Sequence, residues 1–247
     1  MPREWDAKAY DELRLPHEAW GARALGRLTL EGSERVLDAG CGTGRDTVEL
    51  LRRLPTGSVI AVDGSRRMLE ELRTRVADHL ERVEIVHADL EQPLPPALRA
   101  DAVFSVAAFH WITDHDALFR NLAAVLRPGG RLVAECGGEG NVASIDAALE
   151  GLVSGGRVWN FPDPQTTEQR LARAGFTRVD VRLRRDPLRL ERGSMLHGYL
   201  ETVVLGTHLD RLLPSERQRF VRQVADRLPA PEIDYVRLEI SAERLAS

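Results

Sequence analysis

The stretch RVLDAGCGTGRDT, Arg35 to Thr47, decides how this chain is read. An apolar run ends in an acid, Asp38, and glycines follow at alternate positions, Gly40, Gly42 and Gly44. One glycine is enough to turn a chain at the end of a strand. Three of them leave bare main chain there, which lets another group approach the backbone closely. The segment DTVELLRRL (46–54) follows with helical spacing, so the glycines join a strand to a helix.

The same alternation continues outward. SVIAVDGS (58–65) reads as a second strand, and Met68, Leu69, Leu72 and Val76 mark one face of the next helix. VEIVHAD (83–89) and DAVFSVAAF (101–109) are two further strands. Thr113 or Asp114 is expected to cap the helix that carries Leu118, Phe119, Leu122, Val125 and Leu126 on one stripe. RPGG (127–130) is expected to stop that helix, and RLVAEC (131–136) to form the fifth strand. Near-continuous apolar strands alternating with helices imply a parallel sheet covered on both faces. Right-handed crossovers then give a doubly wound α/β fold, with ligands held outside the carboxyl ends of the strands at the switch point. With strand order 3-2-1-4-5, Cys41 and Cys136 follow strands separated by one other. That is about 9–10 Å at the ladder spacing, too far for a disulfide.

Beyond residue 137 the pattern loosens. A turn at GGEGN leads to an expected helix at 141–153 and a loop at 154–164. A helix at 166–174 should feed the strand FTRVDVRLRR (176–185). A helical insert spans about 194–228; Ser215 and Gln218 read as a capping box, with Phe220, Val221, Val224 and Leu228 facing inward. DYVRLEISAERL (234–245) alternates like a last strand. The expected architecture is a mostly parallel seven-stranded sheet with an antiparallel edge strand and a helical insert before the last strand. All 247 residues are expected to form one domain: an N-terminal helical cap (1–30), a core (31–136) and a C-terminal region (137–247).

Composition narrows the function classes. With 43% hydrophobic residues the chain can build a sizeable core, and a net charge of −4 disfavours nucleic acid or an anionic membrane as partner. No apolar run approaches the ~20 residues of a membrane span, and the first residues lack the apolar core of a secretory signal, so a cytoplasmic location is expected. Two cysteines make neither a disulfide framework nor a zinc site. His79 and His87 have no metal-ligand partner at useful spacing, so no metal is expected. Asp101 starts a strand and reads as structural.

A dinucleotide-binding loop reads G-x-G-x-x-G, and here its third glycine would fall on Arg45. The spacing found is G-x-G-x-G, with Asp38 two residues before it. A carboxylate at that place suits a ligand with positive charge better than one with phosphates. LDAGCGTG resembles the first motif of the class I S-adenosylmethionine-dependent methyltransferases. The likeness extends to AVDGS after the second strand, HADL after the third and LRPGG before the fifth. AAFHWITDHDAL and the helical insert are similar to the trans-aconitate methyltransferase branch.

This resemblance implies S-adenosyl-L-methionine as cofactor and S-adenosyl-L-homocysteine as product. It implies that Asp63 binds the ribose hydroxyls and Asp89 the adenine amino group. Asp38, Gly40, Cys41, Gly42, Gly44, Gly64, Ala88, Leu90 and Val106 complete the expected cofactor side, and Met68 lies against the adenine or in the core. Val106 stands where relatives often carry Asn.

His110 and Trp111 fall just past the fourth strand, beside the switch point. Either they pair structurally at the start of the next helix, or they line the acceptor pocket with His110 as hydrogen-bond donor or general base. Tyr10 and Trp159 are further candidates for that lining, whereas Trp20 reads as core.

Methyl transfer needs an in-line arrangement of reacting atoms about 3–3.5 Å apart. A carboxylate acceptor is already ionised at neutral pH and needs no base, and the chain shows no dense acid–base cluster. The expected activity is therefore O-methylation of a small-molecule carboxylate, by a monomer or homodimer. Two alternatives stand beside it: a protein that binds the cofactor without methyl transfer, and a nicotinamide-dependent oxidoreductase.

Overall fold

The computed structural model describes residues 4, 5, 7, 17–153 and 158–246. Its centre is a seven-stranded sheet in the order β3-β2-β1-β4-β5-β9-β6. The strands are β1 (Arg35–Ala39), β2 (Ser58–Asp63), β3 (Val83–His87), β4 (Ala100–Val106), β5 (Leu126–Gly137), β6 (Phe176–Arg185) and β9 (Val236–Arg244). A short ribbon pairs β7 (Leu188–Arg189) with β8 (Glu232–Ile233).

β1 runs parallel to both β2 and β4, so the sheet reverses its winding between β1 and β4. Alternate side chains of these strands enter opposite cores. Val36, Val59, Ala61 and Phe104 face one core, with α1 (His17–Arg27), α2 (Arg45–Arg53) and α3 (Arg66–Arg75). Leu37, Ile60, Val62 and Val103 face the other, with α4 (His115–Val125) and α6 (Pro164–Arg173). Both faces are covered, which is why these strands read as continuous apolar runs.

The antiparallel strand, expected at an edge, is the last strand of the chain and lies one place in from the edge. β9 is hydrogen-bonded on both sides, to β5 and β6, and β6 forms the border. β9 has the buried pattern to fill an interior place, whereas β6 alternates with exposed residues.

Several boundaries differ from the sequence expectation; the fourth strand, expected over 101–109, ends at Val106 because Ala107 takes a left-handed conformation. β5 begins at Leu126, which pairs with Ala100 before the register shifts; α4 therefore ends at Val125, and RPGG lies in the bulged start of the strand. The helix expected at 141–153 is only α5 (Ala143–Leu149), because Val142 before it takes a left-handed conformation (φ 51°). The insert is two short helices, α7 (Ser194–Tyr199) and α8 (Gly206–Leu209), and a longer one, α9 (Pro214–Arg227), with a wide helical turn at Leu200–Val204 after α7. Ser215 does not cap α9. Pro214 occupies its first position, where a missing N–H costs nothing, and Glu216 accepts the Leu213 N–H (3.1 Å). The inward face, Phe220, Val221, Val224 and Leu228, is buried as expected.

Candidate active site

A cavity of about 610 Å³ opens over the carboxyl ends of β1 and β4. Its size lies within the range of about 300–1,000 Å³ usual for small-molecule sites. From the loop after β1 it takes Gly40 and Gly42; from the end of β2, Asp63 and Gly64; from α3, Met68. The loop after β3 adds Ala88, Asp89 and Leu90, and β4 ends on the wall at Val106. Three residues of the expected cofactor side stand off that wall. Cys41 is buried and its thiol is pushed well above its usual pKa by burial. Gly44 starts α2 beneath the loop. Asp38 is buried and accepts a hydrogen bond from Thr47 Oγ1 (2.6 Å), with burial pushing its pKa up to about 8. Asp38 therefore stands behind the glycine loop and not on the cavity wall.

The glycine loop is held by the neighbouring strand. The Gly40 and Cys41 amides both donate to the Val62 carbonyl (2.8 and 3.0 Å). A Cβ on Gly40 would lie 2.3 Å from Ala108 Cβ, so the β1 and β4 loops touch there through bare backbone. Gly42 adopts φ +54°, and nothing lies within 4 Å of where its Cβ would stand. That space is the cavity itself. Gly42 N–H donates to Asp63 Oδ2 (2.9 Å), and Ser65 N–H to Oδ1 (2.8 Å). Each carboxylate oxygen retains a lone pair for a further donor. Burial raises the Asp63 pKa, and the amides of Ser65, Gly42 and Gly64 work against that rise.

At the end of β4 the backbone is strained. Ala107 has φ 57°, and its amide donates to the Glu135 carbonyl (2.8 Å). Among the described residues, two of the three non-glycine residues with positive φ, Ala107 and Val142, are on the cavity wall. Such positions persist where the surroundings over-determine them, as at ligand sites.

His110 lies in a single 3₁₀ turn, Phe109–Trp111, on the wall. Its Nδ1 accepts the Gly137 N–H (3.3 Å), and burial together with the charge of Arg237 holds its pKa well below the usual imidazole value. A neutral ring that accepts at Nδ1 carries its proton on Nε2. His110 therefore offers a donor. Its carbonyl receives the Asn160 N–H (2.9 Å), which brings the 158–161 loop over the site. Trp111, Trp159 and Phe161 form an aromatic wall, Trp159 stacking on Phe161 at 5.7 Å and standing 6.5 Å from Trp111. Trp5 packs edge-on against Trp111 (5.0 Å). Tyr10 lies outside the described residues.

Sequence reasoning missed Glu91, His17, Tyr235 and Arg237, all on this wall. Glu91 Oε1 accepts from Thr113 Oγ1 (2.6 Å) and from the Asp114 amide (2.8 Å), tying the loop after β3 to the start of α4. Trp20 is buried as expected, yet it also reaches the cavity; its Nε1 donates to Asp186 Oδ2 (2.7 Å). No local pattern marks these residues, since they reach one wall from separate parts of the chain: His17 on α1, Glu91 after β3, and Tyr235 and Arg237 at the start of β9. Among the described residues no cluster of ligating side chains could hold a metal, and no helix is long and apolar enough to cross a membrane.

Residues 36–130 match the family model of the methyltransferase domain. The chain is 32% identical over 132 residues to a trans-aconitate 2-methyltransferase of Acidovorax sp. (strain JS42), covering 53% of this chain and 49% of that protein. A trans-aconitate 2-methyltransferase of Rhodopseudomonas palustris (strain BisB18) is 33% identical, over 53% of this chain and 50% of that protein. The chain thus spans about half the length of the curated relatives it matches. Among solved structures, Haemonchus contortus phosphoethanolamine N-methyltransferase 2 in complex with S-adenosyl-L-methionine superposes with a TM-score of 0.66 at 20% identity, over 97% of this chain and 56% of that one. The [4+2]-cyclase SpnF superposes with a TM-score of 0.64 at 18% identity, over 93% and 82%. The fold is the Rossmann-like one of the methyltransferases, and it is within residues 36–130 that this chain is similar to their methyltransferase domain.

Proposed function

We propose that this protein transfers the methyl group of S-adenosyl-L-methionine to the carboxylate of a small molecule. The observation that carries this reading is the meeting of open Gly42 backbone and the Asp63 carboxylate on one cavity at the switch point. The residues present fit an adenosyl sulfonium. Asp63 has acceptor capacity left for a vicinal diol, Asp89 and Met68 offer an edge and a face for the base, and Gly40 and Gly42 leave room for the amino-acid end. When bound, the cofactor supplies an electrophilic methyl: a carboxylate lone pair forms the C–O bond, the C–S pair stays on sulfur, and an ester and a thioether result with no proton to move.

The protein's own part is to align and to exclude water. His110 donates from Nε2 toward the acceptor, and the Trp111–Trp159–Phe161 wall shields the site. No side chain needs to act as base. The homology to trans-aconitate 2-methyltransferases supports a carboxylate acceptor over the half of the chain it covers.

Titration with S-adenosylhomocysteine tests the cofactor side. Asp63→Ala should weaken binding about ten- to a hundredfold, because a charge-assisted hydrogen bond to the diol is lost. Unchanged affinity would remove Asp63 from the site. The likeness to a cyclase keeps a second reading in view, cofactor binding without methyl transfer. Labelled methyl recovered in an ester decides for transfer; tight cofactor binding with no label in any acid decides for the second reading. Binding of NAD without S-adenosylmethionine would favour an oxidoreductase over both.

A further inference from the structure

Five arginines, Arg23, Arg27, Arg182, Arg184 and Arg237, gather around three carboxylates, Glu135, Asp186 and Glu239, beside the acceptor end of the cavity. Glu239 lies 3.0 Å from Arg182 and 2.8 Å from Arg184, and Asp186 lies 3.1 Å from both Arg23 and Arg184. Among the described residues Arg237 has only Glu135, at 3.5 Å, and Glu135 is shared with Arg23 at 2.7 Å. Arg237 is also the most deeply buried of the five cations, with 1% of its side chain exposed. The Glu135 contact is made by its Nε, without a hydrogen bond, and among the described residues its Nη2 reaches only the Glu135 carbonyl, at 3.4 Å. One face of the guanidinium lies 3.7 Å from the Trp20 ring centroid.

A buried cation with donors unused, on the wall of a cavity, is costly unless an anion completes it. The neighbouring groups do not complete it. Arg237 helps to hold His17 and His110 neutral, and the Tyr235 hydroxyl is paired with Tyr199 (2.8 Å). At the exposed rim Arg211 adjoins Asp210, so little net charge arises there. The remaining acceptor-side wall is mostly apolar, Trp111, Trp159 and Phe161 with Val158, Val203 and Val204, and is interrupted by Asn141 and Thr207.

We propose that Arg237 is the anion anchor of the acceptor pocket, and that the acceptor is an acid with a single carboxylate on an apolar body. This rests on the methyl-transfer reading above and narrows its substrate class, away from a tricarboxylate. A planar guanidinium stacked on Trp20 can present two parallel N–H groups to a carboxylate. Methylation removes the charge that the anchor holds, so the ester product binds weakly and leaves.

Calorimetry on the full chain saturated with S-adenosylhomocysteine tests this with 3-phenylpropanoate, octanoate, their methyl esters and amides, and trans-aconitate. The wild type should bind at least one of the two acids about ten- to a hundredfold more tightly than its ester or amide. Arg237→Met should abolish that preference with S-adenosylhomocysteine affinity kept within about twofold, and Arg237→Lys should retain part of it. Equal binding of acid and amide by the wild type overturns the proposal, as does a preference that survives in Arg237→Met. Failure of both monocarboxylates to bind, or trans-aconitate binding about tenfold more tightly than either, overturns the single-carboxylate class. Should Arg237→Met not fold, the wild-type comparison and Arg237→Lys still decide. Failure to bind S-adenosylhomocysteine at all overturns the methyl-transfer reading instead, and is seen before any acid is added.

Discussion

The imidazole of His110 accepts a proton donor at Nδ1 from the main chain of Gly137, and its pKa is held well below the usual value of 6.5. Above that pH the ring is neutral, with its remaining proton on Nε2. Turnover should therefore be flat from about pH 6.5 to 8, with no ascending limb from a titrating base. A pH–kcat profile checks this; a rise through pH 7 would restore His110 as a base. His110→Ala should lower kcat about ten- to a hundredfold while S-adenosylhomocysteine affinity stays unchanged. The residue type and its place past a strand end were visible in the sequence. The tautomer was not, because it depends on an amide 27 residues away in the chain.

At the scale of elements, loops from different strands are tied together over the cavity. Glu91 holds Thr113 and Asp114, and Asn160 holds the Ile112 and Thr113 carbonyls (3.2 and 3.1 Å). Glu91→Ala frees several donors at once and should cost about 1–3 kcal/mol of stability. Thermal melting of variant and wild type measures it; a change below about 0.5 kcal/mol, the usual scatter of surface substitutions, would mean the tie is not formed. The strands β1 to β4 and their helices were legible because each one carries a complete local pattern. The long β5, the short α5 and the α9 cap were misjudged where a bulge, a left-handed Val142 and a proline override that pattern.

Over the whole molecule, buried ionisable groups set the pH response. Burial, with the nearby charge of other carboxylates, raises Asp38 to about 8, and burial raises Asp46 to about 7, from an ordinary 3.8. Between these values the folded chain holds protons that the unfolded chain has released, so this contribution is present below about pH 4 and is lost as pH rises through 8. His17, pushed down to about 3, acts in the opposite sense, and its stability is lost as pH falls below 6.5. The ligand-free protein should thus lose stability from about pH 6.5 to 8, and Asp38→Asn should flatten that slope. Melting temperatures across this range decide it; an unchanged slope in Asp38→Asn would mean that its carboxyl is ionised throughout. Taken alone, the sequence determined the parallel α/β core, the switch point and the glycine loop, because strand periodicity and turn chemistry act between near neighbours. Only the tertiary structure decided that Asp38 turns inward while Asp63 turns to the cavity, that β9 lies between β5 and β6, and that Arg237 meets Trp20 and Glu135. Those outcomes depend on burial and on contacts between separate elements, for Arg237 with residues a hundred or more away in the chain, which no local pattern encodes.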